Sequence, residues 1–235
     1  VVLAASAAAA PVSLLADLHQ PARFWHFYAH FTPWSWMSLG AYLMPVFVLL
    51  ALAFCAAWWL GWRGLLRVLA VLLALSAVSV MVYTGAEVMV VRARPLWNTL
   101  FLPVNLALTG WLAALGAMLL VARWLPGGMA ALPAPLLRTL ALIAAWALAA
   151  AVALWAAVGL ATDAPSLRAA QRLFTEFPVW RLSLLGSVLA GMAVLQLLRR
   201  PAQVLLQPHF SLRMGLAMLA AAWVFRWALF MGVQG

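Results

Sequence analysis

The chain carries only four carboxylates in 235 residues, and one of them, Glu87, stands inside a long apolar run four residues after Tyr83. Residues at i and i+4 of a helix share a face, so a phenol hydroxyl and a carboxylate project side by side. Arg226 stands inside another apolar run near the end of the chain, and Asp17 closes a third near its start. A charge at membrane depth costs roughly 2.5–3.5 kcal/mol on insertion scales, so each needs a partner or a task. Two readings of this set stay open. In the first, Tyr83, Glu87 and Asp17 border a polar pocket in which the Tyr83 hydroxyl meets a ligand carbonyl and Glu87 carries protons. In the second, Glu87 and Arg226 form an ion pair that ties two segments together.

Harder chemistry has no residues to run it. A membrane b-type haem takes axial histidines from within the spans, and none of His19, His26, His30 and His209 stands mid-segment. His26 and His30 have i, i+4 spacing that suits a metal, but no third ligand accompanies them; an interfacial aromatic helix with wet imidazoles explains them. The single cysteine, Cys55, cannot form an intrachain disulfide or build a zinc site alone. No Walker loop, GxGxxG, HExxH or GxSxG pattern is present. No haem and no metal are expected in this chain.

The elements that hold these side chains follow from composition. Hydrophobic residues make up 69% of the chain and charged residues 8%, against roughly 25% charged in a soluble domain. Too few charges remain to build a water-facing surface, so lipid must cover most of the outside, and only helices satisfy their own backbone there. The expected fold is an all-α, polytopic transmembrane helical bundle forming a single integral membrane domain over residues 1–235. Seven apolar segments can be drawn: Val1 to Leu18, Trp36 to Leu60, Val68 to Val91, Thr99 to Leu125, Leu137 to Ala161, Leu182 to Leu198 and Leu212 to Val233. Most have the ~20 residues that cross a hydrocarbon core of ~30 Å. The chain starts at Val1 in an apolar run, so a first helix is expected to be missing.

Tryptophans gather at segment ends, among them Trp25, Trp34, Trp36, Trp62, Trp97, Trp124 and Trp180, as in an interfacial aromatic belt. Let side X be the one reached at the end of the first segment. Glu87 then lies about 7 Å and Arg226 about 12 Å from the X ends of their segments, and Asp17 lies at X. Three distant segments thus place ionisable groups in one leaflet. The formal charge of +10 is all arginine, scattered singly or in pairs between apolar runs. That is membrane-flanking charge, and nucleic-acid binding is set aside. Seven arginines flank side Y (Arg63, Arg67, Arg123, Arg138, Arg199, Arg200, Arg213) against six on X, a slight bias towards Y as cytoplasmic.

Two stretches resemble a known family. One is Leu15-Ala-Asp-Leu-His-Gln-Pro-Ala-Arg-Phe-Trp25 leading to Pro33-Trp-Ser-Trp-Met-Ser-Leu-Gly-Ala41. The other is Tyr83-Thr-Gly85 followed by Arg94-Pro-Leu-Trp-Asn-Thr99, Leu102-Pro103 and Thr109-Gly110. Both are similar to the NrfD/PsrC family, the membrane subunits of polysulfide-reductase-like complexes. The Arg226 region ending in Gln234 resembles the last helix of that family more weakly. The resemblance implies eight helices, of which seven are visible here. It gives Tyr83 the role of a quinone contact and implies quinol oxidation or quinone reduction near side X. Electrons would pass to or from an iron–sulfur subunit docked on X, and on to a molybdopterin catalytic subunit where the terminal substrate reacts. This chain departs from the pattern at His19, where the family usually has glycine, and in a shorter stretch between Pro103 and Thr109 that carries Asn105.

The expectation is therefore a haem-free, quinone-reactive membrane anchor of a polysulfide-, tetrathionate- or thiosulfate-reductase-like complex in the bacterial inner membrane. Menaquinone or ubiquinone would be its redox partner. Tyr83 would bind a quinone carbonyl, and Asp17, His19 and Glu87 would accept or relay protons. Trp97 and Asn98 would line the mouth or the partner interface, or serve as interfacial anchors. Arg226 would tune Glu87 or be structural. Two rivals are a proton-coupled transporter, which predicts broken helices and a midplane site, and a structural anchor with a degenerate pocket.

Overall fold

A computed structural model of the chain describes residues 2–17, 21–124, 127–160 and 164–231. Nine α-helices and no strand occur among the described residues: α1 (Val2–Asp17), α2 (His26–Ala29), α3 (Trp36–Trp59), α4 (Arg63–Met89), α5 (Phe101–Val121), α6 (Ala134–Leu154), α7 (Ala164–Thr175), α8 (Val179–Arg199) and α9 (Pro208–Met231). Six of them, α3 to α6, α8 and α9, are long and apolar enough to cross a membrane. They correspond to six of the seven expected spans. The first span, α1, has 16 residues with Pro11 inside it, a length of about 24 Å, shorter than a hydrocarbon core.

The helix limits follow local chemistry. Helix α4 begins at Arg63, five residues before the expected Val68. Arginines at 63 and 67 can keep their charge in the interface while their stems lie along the apolar surface, so they extend the helix instead of ending it. Helix α9 begins at Pro208, whose missing N–H is harmless in a first turn. Helix α6 passes at its end into a π-helical turn over Trp155–Leu160. The 12-residue helix α7 lies in what the hydropathy pattern leaves as a loop; its inward side is Ser166, Ala169, Ala170 and Leu173, spaced three and four apart, with Arg168 and Gln171 exposed.

The chain divides into two compact units, residues 1–87 and 88–235. In the first, α1 and α2 pack on α3. Ser35 caps α3, its hydroxyl accepting from the Ser38 N–H at 3.5 Å. Helix α2 is held to α3 by the Tyr42 hydroxyl, which donates to the Tyr28 carbonyl at 2.9 Å, and by edge-on packing of Tyr28 and Phe31 against the Tyr42 ring. Helices α3 and α4 form a hairpin through a turn in which Gly61 has φ +74°, a conformation glycine adopts without strain.

The second unit is built on α5 and α9. They cross at Gly116 and Gly215, where a Cβ on either glycine would lie 2.8 Å from the carbonyl oxygen of the other. Small residues let backbones approach this closely in lipid, where packing replaces the hydrophobic effect as the cause of helix association. Gly186 of α8 similarly takes the Val224 side chain of α9. Two buried clusters fill the unit. One joins Leu115, Leu119, Leu137, Leu197, Leu205 and Met218 towards side Y. The other joins Leu96, Leu102, Leu106, Trp155, Ala170 and Leu229 towards side X, where α7 closes over it.

Candidate functional site

Tyr83 and Glu87 stand one turn apart in the last third of α4, both partly buried. The Tyr83 hydroxyl and the Glu87 carboxylate interact. Gly85 and Ala86, between them, are buried. The aromatic ring lies over Gly40 of α3: a Cβ built at Gly40 would overlap the Tyr83 Cζ, Cε2 and hydroxyl oxygen. A side chain at this position would have to displace the ring. Gly40 and Tyr83 lie about equally far from the Gly61 turn, each roughly 30 Å along its helix, so the hairpin register sets one against the other. Gly40 belongs to the stretch Pro33 to Ala41 and Tyr83 to the Tyr-Thr-Gly stretch. The two sequence motifs thus meet in space, within the first unit.

Of the other expected site residues, Asp17 ends α1 with its side chain outside the description, and His19 lies outside the described residues. Trp97 and Asn98 sit on the connection after α4. The Trp97 indole N–H donates to the Leu229 carbonyl of α9 at 3.2 Å, its ring packs edge-on against Phe230, and the Arg94 guanidinium lies 6.0 Å from its centroid. The exposed Asn98 amide donates to the Met89 carbonyl at 2.8 Å, satisfying one of the carbonyls left open at the α4 end. Both side chains pin this connection. Arg226, partly buried in α9, donates from Nε to the Thr109 hydroxyl at 3.2 Å and from one terminal nitrogen to the Leu106 carbonyl at 2.8 Å, both on α5. Thr109 in turn donates to carbonyls of its own helix. Within the second unit Arg226 is thus a clamp between the two central helices.

The contact that residue types alone did not reveal is Gly40 beneath Tyr83. Its signal was the register of the α3–α4 hairpin, which needs both helix limits and the turn position. His26 opens the short helix α2 and His30 caps its end, with ring centroids 6.1 Å apart. No group of three or more His, Cys, Asp or Glu close enough to hold a metal occurs among the described residues.

Six apolar helices long enough to cross a membrane, two of them carrying the Tyr83–Gly40 contact, make a multi-pass membrane protein. The sequence profile described as polysulphide reductase, NrfD, matches residues 1–235. The chain belongs to the NrfD family. It is similar to a tetrathionate reductase subunit of Salmonella typhimurium, 43% identical over 123 residues, which make up 48% of this chain and 35% of that protein. The matched stretch is thus well under half of that relative's length. No solved structure matches the chain.

Proposed function

We propose that this chain is the haem-free membrane anchor of a bacterial inner-membrane oxidoreductase complex and exchanges electrons between the quinone pool and an iron–sulfur subunit that serves a molybdopterin catalytic subunit. Family membership and the likeness to a protein named as part of tetrathionate reductase support the anchor role. The observation that carries the quinone reading is Tyr83, seated on Gly40 and paired with Glu87 on one helix face.

The chemistry asks little more of the chain. Oxidation of a quinol yields a quinone, two electrons and two protons. The Tyr83 hydroxyl turns its one hydrogen from Glu87 to the head-group oxygen, which fixes the head group. The Glu87 carboxylate, beside it, accepts one proton from the quinol and the second passes to water at side X; in the reverse direction the carboxylic acid returns one proton and water supplies the other. Because i, i+4 spacing holds both groups on one face, neither has to move far to act. The electrons leave through the partner's cluster, so the chain needs no redox group of its own.

The experiment is quinol-linked turnover of the complex isolated through this chain. A cluster-bearing subunit is expected to accompany it, and Tyr83→Phe is expected to lower turnover about tenfold, the worth of one hydrogen bond to the reacting group. Unchanged turnover in that variant removes Tyr83 from the site. Isolation without a cluster-bearing subunit, together with solute uptake into liposomes, turns the reading towards a transporter.

A further inference from the structure

Where α8 ends and α9 begins, the second unit has a cavity of about 410 Å³. Its polar lining is Arg200, Arg213, His209, Gln196 and Gln207, and Val204 and Phe210 form an apolar side. None of this serves the Tyr83 site, which belongs to the first unit.

The charge in this cavity is unbalanced. None of the four carboxylates of the chain lies on α6, α8, α9 or the turn Ala202–Leu206. The arginine that is spoken for nearby is Arg138, whose guanidinium donates to the Leu197 and Leu198 carbonyls at 2.7 and 3.3 Å and so caps α8. Arg200 and Arg213 have no carboxylate partner among the described residues. The exposed Arg213 lies about 8 Å along α9 from its first residue, and a cation near the membrane surface attracts anionic head groups.

The remaining donors suit an oxyanion. His209 and Phe210 occupy the first turn of α9, where backbone N–H groups have no partner within the helix, and the helix dipole adds positive potential there. Two guanidiniums, an imidazole and two carboxamides surround the same space. The apolar side formed by Val204 and Phe210 is out of place for a hydrated ion and fits the glycerol and first acyl carbons of a lipid.

We infer that this cavity binds the phosphodiester head group of an anionic phospholipid in the side Y leaflet, with Arg200 and Arg213 holding the phosphate. Bound lipid would bridge the α8 end to the α9 start.

The test is native mass spectrometry of the purified, delipidated protein in neutral detergent. It is titrated with dioleoyl phosphatidylglycerol, with dioleoyl phosphatidylcholine and with inorganic phosphate. The wild-type chain should retain phosphatidylglycerol at least tenfold more tightly than phosphatidylcholine, and millimolar phosphate should not displace it. R200Q/R213Q should lose about tenfold or more of that affinity. R92Q/R168Q, which lowers net charge equally at exposed sites elsewhere, should keep it. Equal retention of both lipids, displacement by inorganic phosphate alone, or equal loss in the two double variants would overturn the assignment. The comparison of lipids on the wild-type chain decides the matter even if a variant fails to fold.

Discussion

A tyrosine ring lying on a bare glycine depends on that glycine staying bare. Gly40→Val should push the Tyr83 ring off its seat while leaving both side chains of the Tyr83–Glu87 pair in the protein. A displacement of about an ångström at a reacting group costs up to a hundredfold in rate, so quinol-linked turnover should fall ten- to a hundredfold in a variant that still folds. Circular dichroism would verify the fold. Wild-type turnover in Gly40→Val would show that the position of the ring does not matter. The Tyr83–Glu87 pair itself was legible in sequence, because i, i+4 spacing is a local property of one helix. The seat was not, because it depends on a neighbouring helix whose register no local pattern reveals. Trp97 and Asn98 illustrate a second limit. Their types suit a pocket mouth and an anchor equally well, and nothing in the sequence marks the carbonyls of their own unit that take their hydrogen bonds. Arg226 was legible as a costly buried charge; its acceptors on α5 were not, since a backbone carbonyl such as that of Leu106 leaves no mark in a side-chain pattern.

At the scale of the element, the second unit rests on the crossing of α5 and α9 at Gly116 and Gly215. Gly215→Leu should disrupt it, because the new Cβ alone would meet the Gly116 carbonyl oxygen at 2.8 Å and the Leu120 side chain at 2.9 Å. The expected loss is about 1–3 kcal/mol, typical of overpacking. Gly191→Ala, on α8 where a Cβ meets nothing within 4 Å, should be neutral or stabilise by up to about 1 kcal/mol through helix propensity. Thermal unfolding in detergent separates the two. Equal midpoints would mean that the glycine crossing is not what holds α5 to α9. Six spans were readable because about 20 apolar residues have no other stable disposition than a helix in lipid. The early start of α4 was hidden because Arg63 and Arg67 read as loop charge, although they sit at a helix end where arginine is tolerated. Helix α7 was hidden because a 12-residue amphipathic helix gives no hydropathy peak.

At the scale of the molecule, the two compact units carry different properties. The second is an interlocked body of α5, α6, α8 and α9 with a basic cavity at its side Y end. The first is a more open set of helices, with only 11% of the apolar window of α3 and 6% of that of α4 buried, against 39% in α5 and α9. The central claim is that a quinone head group binds at Tyr83, and a photoreactive quinone analogue tests it most directly. After irradiation and proteolysis, label is expected on peptides spanning residues 36–42 and 79–91. Excess quinol should compete it away, and Tyr83→Phe should reduce it about tenfold. Label confined to α5, α8 and α9, or label in the first unit that quinol does not displace, would contradict the account.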